Sequence, residues 1–194
     1  VRVVTTFPGS PTPEIADAIR AIPKDSLPLY FEYSTNEKVA LEVAFGASLN
    51  GHLSVVFFKS VGLNVAADSA VQLPMMETPG GMVVILGDDP GANSSQNEQD
   101  NRHFARMSYM PVFEPANPTE TYSMFVKTTE ISMKYCMPVF FRMTTHVCHA
   151  RELVQFSQVP DYDFNDDPLY DWKNGPYMPL TELVFPLKRK ALSK

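Results

Sequence analysis

The sequence predicts an α/β protein, a three-layer sandwich in which helices cover both faces of a mostly parallel sheet. Short apolar runs rich in branched and aromatic residues recur along the chain, and segments of helical length and periodicity separate them. Near-continuous apolar runs are typical of strands that are buried on both faces, and strand–helix alternation favours right-handed parallel crossovers. With 194 residues and an apolar fraction of 44%, the chain can bury one sizeable core.

Six runs predict strands, at residues 1–7, 27–33, 53–58, 82–86, 111–113 and 138–143. Five segments predict helices, at residues 13–22, 36–49, 62–73, 101–107 and 119–135. Pro13 with Glu14 marks the first helix start, and Asn117 followed by Pro118 marks the last, because proline and acids suit the first helical turn. Ser34 and Glu37 have the spacing of a capping box at the second helix.

From Val159 onward the sequence is aromatic, acidic and rich in proline, with no clear period. It predicts an irregular arm over residues 159–194, following a domain at 1–158, with aromatic side chains packed on the domain or on a neighbour.

Charge and cysteine content exclude several classes of protein. Acidic residues outnumber basic ones by 22 to 16, and the scattered Lys and Arg residues argue against a nucleic-acid surface. Two cysteines are too few for a disulfide scaffold or for a cluster bound by this chain alone. No apolar run has membrane-spanning length and no secretory signal is visible, so we expect a cytoplasmic protein that binds neither membrane nor nucleic acid.

In an open parallel sheet, ligands bind at the carboxyl ends of the strands. The segments that follow the predicted strands are polar or glycine-bearing, and residues 87–102 form a long polar loop of the kind that is more often functional than idle.

Four of these segments carry a family resemblance. They read PGSPTPEI (8–15), NEKVALEVAFGASLNG (36–51), VGLNVAAD (61–68) and DDPGANSSQNEQDNR (88–102). Together they resemble the alpha subunit of indolepyruvate:ferredoxin oxidoreductases, from residue 1 to about residue 152 and weakly beyond. The resemblance implies the pyrimidine-binding domain of a thiamine diphosphate-dependent enzyme.

Glu37 is the catalytic candidate. The resemblance implies that it matches the family glutamate that contacts the aminopyrimidine ring, through which the cofactor becomes a nucleophile toward 2-oxo acids. Ala40, Ala44 and Ala47 share one face of the helix behind it and permit close packing. From the residues alone, an acid that only caps its helix is the favoured interpretation, and the resemblance reverses that preference.

Two further residues are cofactor-binding candidates. Ser10 lies where the family usually has a hydroxyl residue, although PGSP is also simply a turn. Asn64, on the helix after Gly62, could contact the cofactor or cap the helix.

The substrate-binding candidates carry cationic and polar groups. Lys59 could face a carboxylate or a diphosphate, with a solvated lysine as the alternative. At Ser60 the resemblance implies a His in many relatives, so Ser60 does not supply the acid–base function of that imidazole. The loop offers donors for an anionic substrate or CoA, namely Ser94, Ser95, Gln96, Asn97 and Arg102. An ion pair with Asp100 is the alternative for Arg102.

Two patterns resemble metal motifs and are set aside. Gly87-Asp88-Asp89 begins like a diphosphate and magnesium motif but lacks its second glycine. His146, Cys148 and His149 lie too close together to surround one tetrahedral ion.

The resemblance implies partners outside this chain: a diphosphate-binding domain that holds Mg²⁺, a ferredoxin-like segment with iron–sulfur clusters, a second subunit, ferredoxin and CoA. We expect a dimer or larger assembly. We also expect an excised fragment or a natural split subunit that does not turn over substrate alone.

The predicted function is oxidative decarboxylation of an aryl pyruvate, with indolepyruvate foremost, to an acyl-CoA. Two alternatives remain: part of a non-oxidative thiamine diphosphate decarboxylase, or a catalytically inactive interaction domain.

Overall fold

The sheet has six strands and is parallel throughout. A computed structural model describes residues 1–157, 167, 169–171, 173 and 180–194. The strands are β1 Val3–Thr6, β2 Tyr30–Tyr33, β3 Ser54–Lys59, β4 Met82–Asp88, β5 Val112–Phe113 and β6 Pro138–Thr144. Their order is β2-β1-β3-β4-β6-β5. All six predicted strands are confirmed, and their bounds differ by a few residues at most.

Helices connect the strands. They are α1 Pro13–Ala21, α2 Glu37–Leu49, α3 Gly62–Gln72, α4 Arg102–Ser108, α5 Pro118–Tyr135, α6 Thr145–His149 and α7 Val184–Leu192, with 3₁₀ turns at Lys24–Ser26 and Leu73–Met75. The five predicted helices are α1 to α5. Helix α6 was not predicted, because its five residues are too few to show a helical period.

Each face of the sheet has its own core. Val56 and Phe58 of β3 point into a cluster with residues of α2, α3 and α4, and Val55 and Phe57 point into a second cluster on the opposite face. This alternation explains why the four central residues of the strand, 55–58, are all apolar, since both faces are covered. The α/β three-layer prediction is therefore confirmed.

Helix starts follow the predicted pattern with one exception. Asn117 caps α5 by accepting a hydrogen bond from the Glu120 backbone N–H at 2.8 Å. At α2 the predicted capping box is wrong. Asn36 is the cap and accepts from Val39 N–H at 2.9 Å, while the Ser34 hydroxyl donates to Glu32. Asn36 is adjacent to the first helical residue and has the extended backbone that a cap needs, so it excludes Ser34.

The predicted arm contains a helix, so the expectation of an irregular segment is wrong for Val184–Leu192. Helix α7 buries Leu187 and returns to the domain beside Leu73–Met75. Glu77 forms ion pairs with Lys190 and Lys194 and fixes its position. The basic run at residues 188–190 is thus part of this helix. Residues 158–166, 168, 172 and 174–179, which include most of the aromatic segment, lie outside the described residues.

None of the helices in the described part of the chain is both long enough and apolar enough to cross a membrane.

Candidate active site

The carboxyl ends of β1, β3, β4 and β6 lie along one edge of the sheet, because all of these strands are parallel. The amino ends of α2 and α3 approach the same edge, since each helix follows its strand directly. This edge is where the topology predicts a ligand site.

Glu37 is the first residue of α2 and lies against the first residue of α3. A Cβ placed on Gly62 would fall 2.6 Å from Glu37 Oε1 and 2.7 Å from its Cγ. Glu37 is only 5% exposed. The amino ends of two helices therefore meet at one carboxylate. Within the described residues, no group donates a hydrogen bond to this carboxylate, so it is available to a ligand.

Lys59 and Ser60 follow at the end of β3. The Lys59 stem packs on the turn after β1, because a Cβ on Gly9 would fall 2.8 Å from its Cδ, and its Nζ is 3.4 Å from Gln96 Oε1. Ser60 is 1% exposed, and its hydroxyl has no hydrogen-bond partner among the described residues. Both side chains therefore retain capacity for further hydrogen bonds.

Asn64 does not cap α3; the residue at the cap is Val61, without a side-chain bond. Instead, the Asn64 and Gln99 amides bond reciprocally, at 2.9 Å in each direction. This pair attaches the long loop to the first turn of α3.

Asp88 lies at the end of β4 and is fully buried. Arg142 Nε donates to Asp88 Oδ2 at 2.6 Å, and the Asn101 side chain donates to Asp88 Oδ1. Burial opposes the charge of Arg142, but the bonds to Asp88 and Glu114 outweigh it, so its pKa lies above its ordinary value.

Asp89 organises the first half of the loop. Its carboxylate accepts from the backbone N–H of Ser94 at 2.7 Å and of Ser95 at 3.0 Å, and from the Thr145 hydroxyl at 2.8 Å. The pKa of Asp89 lies well below its usual range, chiefly because of the Ser94 N–H bond. Both acids of the Gly87-Asp88-Asp89 sequence are therefore used within the protein.

Arg102 shows the alternative interaction. It forms three side-chain hydrogen bonds with Asp100, at 2.7, 2.9 and 3.1 Å, and its Nη1 lies 3.8 Å from Glu114 Oε2. The Asp100 carboxylate raises the pKa of Arg102, and the guanidinium lowers that of Asp100. The side chains of Ser10 and Asn97 are exposed, and neither forms a hydrogen bond within the described residues.

The structure thus places Glu37, Lys59, Ser60 and Asn64 around the junction of β3 and α3, where Gln96 contacts Lys59. Arg102, in contrast, is bonded to Asp100 and lies near Glu114. Sequence reasoning missed the pair of Asp88 and Arg142. An arginine inside the apolar run PVFFRMT was the available signal, because a charge in a buried strand requires a partner.

Among the described residues, no group of three or more His, Cys, Asp or Glu side chains could hold a metal ion. His146 and His149 are exposed. Cys148 is partly buried. Its pKa is raised to about 12, chiefly by desolvation and to a smaller extent by the nearby negative charge of Glu14.

The fold and this edge define an α/β ligand-binding protein whose polar groups gather where parallel strands end. Residues 1–186 match the family described as pyruvate flavodoxin/ferredoxin oxidoreductase, thiamine diphosphate-binding. The chain belongs to this family, and the predicted resemblance is confirmed.

Among curated relatives, the indolepyruvate oxidoreductase subunit IorA of Methanothermobacter marburgensis is 47% identical over 155 residues, which cover 80% of this chain and 25% of the relative. The IorA subunit of Archaeoglobus fulgidus is 35% identical over 195 residues, covering 99% of this chain and 30% of the relative. The chain thus spans 25% to 30% of the length of these relatives.

Two solved structures share the fold. One is the 2-oxoglutarate:ferredoxin oxidoreductase from Magnetococcus marinus with 2-oxoglutarate, coenzyme A and succinyl-CoA bound, with TM-score 0.67 and 19% identity over 76% of this chain and 27% of that chain. The other is the benzoylformate decarboxylase from Polynucleobacter necessarius, with TM-score 0.64 and 18% identity over 84% of this chain and 30% of that chain. At these identities the likeness shows the fold alone.

Proposed function

We propose that this chain is the pyrimidine-binding domain of a 2-oxoacid:ferredoxin oxidoreductase, and that Glu37 is the carboxyl group that contacts the aminopyrimidine ring of thiamine diphosphate. One observation carries the proposal: a nearly buried carboxylate, without a hydrogen-bond donor in the described residues, lies where two helix amino ends meet. Family membership supports the choice of ligand.

The residues fit such a ring. Gly62 leaves the Glu37 carboxylate against bare backbone. The hydroxyl of Ser60, two residues earlier, is buried and has no hydrogen-bond partner in the described part of the chain. When bound, thiamine diphosphate supplies a carbon nucleophile for 2-oxo acids and an electron sink for decarboxylation. Glu37 would hydrogen-bond a ring nitrogen and hold or release a proton there, because burial excludes competing water.

We propose an aryl pyruvate, with indolepyruvate foremost, as the substrate. The relatives named indolepyruvate oxidoreductase support this class. The 2-oxo acid, CoA and two oxidised ferredoxins would give an acyl-CoA, CO₂, a proton and two reduced ferredoxins. Lys59 offers the ammonium for the substrate carboxylate, while Gln96 and Asn97 offer amides to substrate or CoA. Ser10 remains a proposed cofactor contact.

The rest of the proposed enzyme lies outside this chain. It comprises the diphosphate-binding domain with Mg²⁺, the iron–sulfur clusters, the second subunit and a dimeric or larger assembly. A cytoplasmic location is part of the same proposal. We assign the diphosphate-side residues to a domain of the same or another chain; within the described residues, the internal bonds of Asp88 and Asp89 support this assignment.

The test is Glu37→Gln in the full-length subunit assembled with its partner. The measurement is deuterium exchange at the thiazolium carbon of the bound cofactor, monitored by NMR after acid quenching. The exchange should slow by about 10²- to 10⁴-fold, which is the range of general acid–base catalysis. Glu42→Gln is the matched control, because Glu42 is an exposed carboxylate on the same helix. Unchanged exchange in Glu37→Gln would refute the assigned function of this residue.

A further inference from the structure

We propose that Arg142 is a positioning residue that holds the polar loop of residues 89–101 over the candidate site. The inference rests on the proposed function, because it assigns that loop to substrate binding. It is carried by a continuous series of hydrogen bonds that begins at a buried guanidinium and ends at the first turn of α3.

The series begins with a charged centre that is shielded from water. Arg142 is 3% exposed and Asp88 is fully buried, and their Nε–Oδ2 distance is 2.6 Å. Arg142 Nη1 is also 2.7 Å from Glu114 Oε1. An arginine uses its planar fork to bond two carboxylates at once, which fixes the orientation of both. The bonds from Arg142 and Asn101 therefore favour one orientation of the Asp88 carboxylate.

Asp88 transmits this orientation to the end of the loop. Its carboxylate accepts both the backbone N–H and the side-chain amide of Asn101, a residue that is 2% exposed. The Asn101 amide also donates to the Ser60 carbonyl at 3.3 Å. Asn101 thereby joins the end of β4 to the end of β3 at the point where α4 begins.

Gln99 extends the series to α3. Its amide donates to Asn101 Oδ1 at 2.7 Å and pairs reciprocally with the Asn64 amide. Asn64 lies two residues after Gly62, against which Glu37 is packed. The loop is thus attached to the same helix end that contacts the candidate catalytic carboxylate.

The middle of the loop carries exposed side chains that can face a ligand. Gln96 and Asn97 are exposed, and Gln96 contacts the Lys59 ammonium. Asp89 fixes the preceding turn through Ser94 and Ser95. The loop therefore has two anchors, Asp89 at its start and the Arg142 series at its end, with the proposed substrate contacts between them.

The experiment compares Arg142→Met, Arg142→Lys and the control Arg106→Met in the full-length subunit assembled with its partner. Arg106 is an exposed arginine on α4 that forms no ion pair within the described residues. In Arg142→Met we expect amide hydrogens of residues 94–100 to exchange at least about tenfold faster, as loss of a charged hydrogen bond implies. The KM for the 2-oxo acid should rise about tenfold, with kcat changed by less than about threefold.

Arg142→Lys keeps the charge but loses the fork, so its effects should be intermediate. If Arg142→Met does not fold, Gln99→Ala decides the question, because it removes the bonds from the loop to Asn64 and to the Asn101 side chain while leaving the Arg142–Asp88 pair and the Asn101–Ser60 bond intact. The proposal is overturned if loop exchange in these variants equals that of Arg106→Met, or if the loop loosens while KM stays constant.

The two proposals have separate measurements. If thiazolium deuterium exchange is unchanged in Glu37→Gln, the proposed function is refuted. Amide exchange of residues 94–100 in the Arg142 variants still decides whether Arg142 positions the loop.

Discussion

The Glu37 carboxylate packs directly on the backbone of Gly62, so closely that a single methyl group on Gly62 would overlap with it. The contact joins the first residues of α2 and α3 and determines where the carboxylate lies. The candidate site therefore depends on the absence of a side chain as much as on the presence of an acid.

Gly62→Ala should displace Glu37 without removing it. The added Cβ would fall 2.6 Å from Oε1, a distance that forces the carboxylate or the helix to move. We expect thiazolium deuterium exchange to fall by about ten- to a hundredfold, since small misplacements of a catalytic group are costly. Affinity for thiamine diphosphate, measured by calorimetry on the assembled enzyme, should also fall.

The matched control is Gly46→Ala, in α2. Among the described residues, no heavy atom other than those of the adjacent residues and the backbone of α2 itself lies within 4 Å of a Cβ built at Gly46. This change should raise the free energy of unfolding by about 0.5–1 kcal/mol, because alanine suits a helix interior better than glycine. Equal losses of exchange in both variants would contradict the specific contact at Gly62.

Asp89→Asn should alter how stability depends on pH. Hydrogen bonds lower the folded-state pKa of Asp89 below its ordinary 3.8, so the folded protein binds fewer protons than the unfolded chain there. This stabilisation is fully present above about 3.8 and is lost as the pH falls toward the folded-state value. Urea titrations of the wild type and Asp89→Asn should therefore differ at neutral pH and converge in acid. A gap that stays constant down to the acid limit would contradict this.

Cys148 should be a slow nucleophile. Burial raises its pKa from an ordinary 9.0 to about 12, which reduces the thiolate fraction at pH 8 by about a thousandfold. Iodoacetamide labelling, followed by mass spectrometry of the peptide that contains Cys148, should be correspondingly slower than in the same chain unfolded in urea. Labelling at similar rates in both states would show that the thiol is open to water.

Leu187→Ala should release α7. Leu187 is the buried residue of this helix, and a buried leucine truncated to alanine costs about 2–5 kcal/mol. The short helix has few other apolar contacts, so the loss should appear as faster proteolysis within residues 184–192. Phe185→Ala is the control, because Phe185 is 73% exposed. Equal protease sensitivity in both variants would mean that Leu187 does not anchor the helix.

Much of the fold could be predicted because its signals are local. The run SVVFFK is apolar on both faces and gave β3, and Pro118 preceded by Asn117 gave the start of α5. The capping box failed for a local reason, since α2 begins at Glu37 and the adjacent Asn36 caps it by accepting from the Val39 N–H. Helix α7 was missed because its stability comes from Glu77 and Leu187, contacts that no local period reveals.

The site could be predicted only in part. Glu37 was identified through the family resemblance and lies where the topology places ligands. Its packing on Gly62 depends on how α2 and α3 approach each other, and this is not encoded in either segment alone. Likewise, Asp88 and Arg142 are separated by 54 positions, so their pairing emerges only when β4 and β6 are in register.

The strand order has a consequence for folding. Strand β1 is enclosed between β2 and β3, and β4 pairs with β6 across the whole of α4, β5 and α5. Distant segments must therefore meet before the sheet exists, which makes folding slow. The loop anchored at Asp88 can order only after that step, so substitutions within it should speed unfolding and leave the rate of folding almost unchanged.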